Sequence, residues 1–215
     1  MTRLLAPALA ATLLAAGPAL AHHPLGGLPM ETFADGLLSG VGHPILGFDH
    51  LAFVLVVGIA AAFTSARYAA PLAYVMAMLV GCALMASGIG LPAKEPAIVA
   101  SLLAMGAIVA SGRALTLAPA LALFAAFGMF HGSAFGEAIA GQEGGAGGAV
   151  LAGYLIGLAA VQYAIALAAM WVARRAHGAP GAATGPRLVG AAVFGIGAFL
   201  TLEIAEGPLV TALAG

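Results

Sequence analysis

Charge is what this chain has least of. Only 7% of its 215 residues are Asp, Glu, Lys or Arg, against about 25% in a soluble domain, so it cannot dress a water-facing surface. Its 7 basic and 8 acidic residues nearly cancel to −1, which removes the basic excess that a nucleic-acid partner requires. Cysteine is almost absent. Cys82 stands alone, so one chain can build neither an intrachain disulfide nor a cysteine-based zinc or iron–sulfur site. Aromatics reach only 7%, too few for the girdles of a membrane β-barrel. No GxxxxGKS loop, HExxH pair or hydrolase elbow occurs in the sequence, which argues against ATP hydrolysis and against an enzyme.

What is present is apolar and small. Hydrophobic residues make up 63% of the chain and glycine contributes 31 positions; helices that approach closely through small residues suit this mix. The expected fold is all-α, a polytopic membrane bundle. Met1-Thr2-Arg3, an apolar run from Leu4 to Ala16 and Ala19-Leu20-Ala21 read as a cleavable secretory signal over 1–21,. A single transmembrane domain over 22–215 follows, starting His22-His23-Pro24 outside the cytoplasm. Stretches of about 20 apolar residues give six spans, near 44–64, 69–90, 96–111, 117–140, 149–173 and 188–207.

With that start, the loops at 65–68, 112–116 and 174–187 face the cytoplasm. They carry Arg67, Arg113, Arg174, Arg175 and Arg187, against Lys94 alone outside, as the positive-inside rule expects. The expected location is the bacterial inner membrane, with a periplasmic mature N-terminus. The loop 141–148 faces out, and His177 in the last cytoplasmic loop reads as solvated. Residues 29–41 have the spacing of a short amphipathic helix at the outer interface. No internal sequence repeat is strong enough to assert an inverted-repeat transporter.

Ionisable side chains in lipid cost a few kcal/mol or more each, so they mark functional sites by default. The first cluster, HPILGFDH at 43–50, opens the first span. Pro44 suits a first helical turn, making His43 a capping or pre-helical residue. His43 and His50 share a face but stand about 10.5 Å apart in rise on an ideal helix, too far for one metal ion unless Gly47 makes the helix irregular. The second cluster, FHGSAFGE at 130–137, lies toward the external end of span four, where Gly128, Gly132 and Gly136 form a smooth face. His131 and Glu137 are about 120° apart around that helix. Under this topology His43, Asp49, His50, His131, Glu137 and Glu203 all fall in the outer half of the membrane. Imidazoles with carboxylates and no thiolate suit a borderline divalent cation such as nickel, cobalt or zinc and disfavour copper(I).

The strings HPILGFDH and FHGSAFGE match HPxxGxDH and FHGxAxGxE, and in these motifs, their order and the six-span layout the chain resembles the HupE/UreJ family of hydrogenase- and urease-associated nickel or cobalt permeases. That resemblance implies secondary import of nickel or cobalt as a transported substrate, no tightly bound cofactor, and a functional link to hydrogenase or urease maturation. It places the family's metal positions on His43, Asp49, His50, His131 and Glu137. Several members carry a further histidine where this chain has Phe135. The expected partners are the divalent ion and the lipid bilayer.

Two other classes compete. A haem-b electron carrier would use His50 and His131 as axial ligands but leaves Asp49 and Glu137 unexplained. A structural or accessory subunit would need none of the polar residues for metal accumulation. Gln162 and Tyr163 read as interhelical hydrogen-bonding groups, and Cys82 as a small packing residue.

Overall fold

A computed structural model describes residues 29–141, 147–176 and 184–214, with side chains through Glu206 in the last segment. The expected signal peptide, His22, His23, His177 and residues 142–146 of the outer loop lie outside the described residues. Among those described, seven helices follow in order: α1 Phe33–Leu46, α2 Phe48–Ala61, α3 Ala69–Ala86, α4 Lys94–Ser111, α5 Leu117–Ala140, α6 Gly148–Ala176 and α7 Thr184–Ala214. Five are long and apolar enough to cross a membrane, and α1 with α2 makes a sixth crossing if that pair, bent by 81°, counts as one. The chain is therefore an all-helical polytopic bundle.

The first span departs from the single helix expected over 44–64. The chain is already helical from Phe33, where Thr32 and Asp35 close a reciprocal capping box: the Asp35 amide donates to the Thr32 hydroxyl oxygen, and the Thr32 amide donates to the Asp35 carboxylate,. The helix expected at 29–41 thus corresponds to the start of α1, the first member of the bent pair. Pro44 does not start a helix. It sits in the last turn of α1, where its missing N–H removes a bond just before the break,. Gly47, in an extended conformation, caps α1 and begins α2. Its φ is negative, so any residue could adopt the backbone. What requires glycine is space, because a Cβ here would lie 2.9 Å from the His50 ring.

Three helix pairs are joined through glycines that let backbones touch. Cβ atoms at Gly36 and Gly40 of α1 would lie 2.2 Å from the carbonyl oxygens of Val150 and Tyr154 on α6, and Gly153 and Gly157 return the contact against Phe33 and Leu37. In the second pair, Gly128, Gly132 and Gly136 of α5 face the Tyr74, Met78 and Cys82 carbonyls of α3, and Gly81 of α3 faces that of Met129. In both pairs the residue numbers rise together, so the helices run parallel. Gly106 and Gly190 join α4 to α7, where contact numbers rise on one helix and fall on the other, so this pair is antiparallel. Such close approach supplies the van der Waals contact that apolar surface cannot when lipid is the solvent.

The α6 register fixes the depth of the break. Alongside α6, Gly36 lies at Val150, Gly58 of α2 lies at Ala166, and the Arg174 guanidinium donates to the Ala62 carbonyl. From Gly36 to Ala62 the chain therefore travels nearly the length of α6, and Gly47 falls near its middle. His131, the fifteenth residue of the 24-residue α5, is also near mid-length. The expectation that HPILGFDH stands at the outer start of a span is corrected: starting α1 at Phe33 adds more than two turns before His43.

Charge is segregated along the bundle. Arg187 donates to the Ala110 carbonyl, Arg113 and Arg187 share a pocket with Phe63 at the end of α2, and Arg174 meets Ala62. These arginines share one end. Lys94 and Glu137 pair at the other, where α1 begins beside Glu31 and Asp35 and α7 carries Glu203 and Glu206.

Candidate metal site

The break brings His43 and His50 together. Their ring centroids are 6.3 Å apart, whereas an unbroken helix would separate them by about 10.5 Å of rise alone. His50 reaches across to α5, Nδ1 to Nδ1 of His131 at 2.7 Å, and its Nδ1 lies 3.9 Å from Asp49 Oδ2. Phe135 packs on both His43 and His50 with centroids 5.1 and 4.3 Å away. The His131 ring is fully buried and stacks on Phe53 at 4.3 Å.

Hydrogen-bond direction assigns the proton on each ring. The Ser101 hydroxyl donates to the Ile98 carbonyl, so its oxygen accepts from His131 Nε2–H at 2.9 Å. A fully buried imidazole on an apolar ring is neutral, since an unpaired buried charge is expensive. His131 Nδ1 therefore accepts, and His50 Nδ1–H donates to it. On the other side, the Tyr154 hydroxyl donates to the Phe135 carbonyl at 2.9 Å and accepts from His43 Nδ1–H at 2.7 Å. With Nδ1 of both His43 and His50 donating, Nε2 is the nitrogen through which either ring, when neutral, would ligate a metal.

A cavity of roughly 1110 Å³ reaches this point, with walls from α1, α2, α4, α5 and α7. His43, His50 and Asp49 line it, and so do Glu95, Glu137 and Glu203. Glu137 is ion-paired with Lys94 and half exposed. Carboxylates outnumber the lysine, so the cavity attracts cations. The six residues expected in the outer half of the membrane divide into two levels: imidazoles and Asp49 near mid-bundle, glutamates nearer the acidic end. Among the described residues no three His, Cys, Asp or Glu side chains converge as a ready-made cage for a metal ion.

Haem ligation is poorly served by this geometry. Axial nitrogens on opposite sides of one ion, with bonds of about 2 Å, stand about 4 Å apart; those of His50 and His131 touch. Three residues in the site were missed in the sequence. Glu95 precedes Pro96 and reads as a helix-start residue, and Ser101 and Tyr154 are single polar groups in apolar helices with no motif around them. Gln162 and Tyr163 do bind helices together, Gln162 accepting from Tyr74 and Tyr163 donating to the Tyr68 carbonyl. Cys82 is fully buried.

A family model described as HupE / UreJ protein matches residues 9–200. Protein HupE of Rhizobium leguminosarum bv. viciae is 31% identical over 185 residues, covering 80% of this chain and 92% of the relative. No solved structure matches the chain.

Proposed function

This chain belongs to the HupE/UreJ family, and from that premise we propose that it is a secondary permease importing a divalent transition-metal cation, nickel or cobalt, for hydrogenase or urease maturation. The observation that carries the reading is the broken first span, which sets His43, Asp49 and His50 at the inner end of an acidic cavity, against His131. Oriented by the positive-inside rule, the arginine end is cytoplasmic, the cavity opens to the periplasm and the membrane is the bacterial inner one.

The cation enters past Glu203, Glu95 and Glu137, displacing Lys94 from Glu137 as it takes up negative charge. It then meets the imidazoles of His43 and His50 and the Asp49 carboxylate, with His131 behind His50. Nitrogen and oxygen donors in this number suit nickel or cobalt. An incomplete set of protein ligands suits passage, because a carried ion must be bound weakly enough to leave. The membrane potential supplies about 2.3 kcal/mol per charge per 100 mV, twice that for a divalent ion.

The test is radiotracer nickel uptake in cells lacking other nickel transporters, with cobalt and zinc as competitors. Uptake above the empty-vector level that disappears in Asp49→Asn and His50→Ala, at unchanged protein abundance, supports the permease. Normal accumulation in both variants would instead make the chain a structural subunit.

A further inference from the structure

The two motifs are the same motif met twice. Gly40, His43 and Asp49 are followed, each 88 positions later, by Gly128, His131 and Glu137, so H-x5-D on the first span answers H-x5-E on the fourth. Packing repeats the correspondence. Gly40 presses on the Tyr154 carbonyl, and Gly128 presses on that of Tyr74. The ring of His43 lies 6.3 Å from Tyr154, and that of His131 lies 6.3 Å from Tyr74. Span one therefore sits on span five as span four sits on span two, in two parallel glycine-lined pairs. Spans three and six form the antiparallel pair, as a two-fold axis exchanging them requires. Three spans per half reverse the chain direction between halves.

Resting on the transport reading, we infer that spans one to three and four to six are inverted repeats related by a pseudo-two-fold axis that passes between His43 and His131, and that metal leaves by the exchange of their two shapes. The halves are unequal as described. Span one is broken at Gly47, while α5 is a continuous helix through the equivalent position, Phe135. Helix α2 packs on α4, whereas the equivalent pair, α5 and α7, both line the large cavity. Exchange bends α5 near Phe135 and Gly136, straightens α1 into α2, closes α5 on α7 and parts α2 from α4. The exit assigned by this symmetry lies at the arginine end, where a cavity of roughly 210 Å³ already sits among Ile59, Phe63, Val109, Arg113 and Arg187. Tyr74, now donating to Gln162, takes on toward His131 the part Tyr154 plays toward His43. The repeat escaped the sequence because only the spacing of a few residues survives, and the glycines of the two halves reveal their register only against their partner helices.

Single cysteines read the exchange in a Cys82→Ala background, using the full chain in membrane vesicles of either orientation and a membrane-impermeant maleimide. Ala138→Cys reports the large cavity and Val109→Cys the small one, with Ile59→Cys as a second reporter of the small cavity should Val109→Cys fail to fold. Phe135→Gly gives α5 the break residue of α1. It is expected to raise Val109→Cys labelling from the arginine side and lower Ala138→Cys labelling from the acidic side, each at least fivefold. Unchanged labelling at both reporters, or a simultaneous rise that marks a continuous pore, overturns the inference. Nickel uptake in the same vesicles separates the two readings: exchange without nickel movement overturns the metal assignment alone, and nickel movement without exchange overturns the inverted repeat alone.

Discussion

The imidazole of His50 meets that of His131 nitrogen to nitrogen, Nδ1 to Nδ1 at 2.7 Å, and this contact ties the broken first span to the continuous α5. Two rings this close must differ in protonation at the touching atoms, one donating and one accepting. The Ser101 hydroxyl decides which, because it has already given its own proton to Ile98.

Ser101→Ala should therefore weaken nickel binding by roughly 10- to 100-fold, the usual cost of losing a partner that orients a metal-binding histidine. Titration calorimetry on purified protein measures it. Nitrogen-15 shifts of the histidine rings provide the matching signature: His131 loses its fixed Nε2–H form and His50 its fixed Nδ1–H form. Wild-type affinity with unaltered ring shifts would remove Ser101 from the site.

Tyr154→Phe removes one hydroxyl that serves two groups, the His43 ring and the Phe135 carbonyl. Each group loses that bond, at a net cost of about 0.5–1.5 kcal/mol apiece. The variant should unfold at lower temperature in detergent and bind nickel less tightly. Thermal unfolding monitored with and without nickel separates the two effects, and a wild-type melting curve would show that neither bond matters to the fold.

Gly132→Ala should abolish accumulation of the folded protein. Its Cβ would sit 1.9 Å from the Met78 carbonyl oxygen, a backbone atom that cannot turn aside, so α5 and α3 must separate. Gly185→Ala, with nothing within 4 Å, should be tolerated and favour helix by about 0.5–1 kcal/mol. Size-exclusion profiles of the two variants test the contrast; a monodisperse Gly132→Ala protein would mean the pair is looser than described.

Lys94→Met leaves Glu137 without its tethered cation. A metal ion then no longer competes with an ammonium for that carboxylate, so half-maximal nickel uptake should occur at a severalfold lower concentration. An unchanged concentration dependence would mean that the ion passes the mouth without using Glu137.

Reporter fusions after Arg67, Arg113 and Arg175 should behave as cytoplasmic, and fusions after Lys94 and Gly144 as periplasmic. A cytoplasmic Gly144 would invert the bundle and turn the acidic cavity toward the wrong face.

Much of the bundle was legible because lipid asks one simple thing of sequence, a long apolar run, and the expected spans from α3 onward overlie helices. The third starts at Lys94, two residues before Pro96, since proline fits the first turn. The first span was not legible for a related reason. Pro44 is as compatible with a first turn as with a last one, and although a short helix is expected at 29–41, only the glycines of α1 pressed against α6 show that it runs on past Pro44 alongside α6. The motif residues were recognisable as chemistry, but their meeting depends on an 81° bend, and no periodic pattern contains an angle. Glu95, Ser101 and Tyr154 acquire meaning only through neighbours distant in sequence.

Between Asp49 and Glu95, between Glu95 and Glu137, and between Glu143 and Glu203 the sequence contains no carboxylate, so under the transport reading the end of the bundle that holds the arginines offers a departing metal ion no carboxylate to rest on. A divalent ion at this face would meet the guanidinium groups of Arg113, Arg174 and Arg187, whose like charge shortens its stay. If the chain carries metal as proposed, it cannot change the equilibrium that the two concentrations and the membrane potential set, and the asymmetry of charge decides only where along the path the ion dwells. On that reading the ion dwells on the carboxylate side and leaves the arginine side quickly, so that the occupied states of the protein are those open to the acidic cavity.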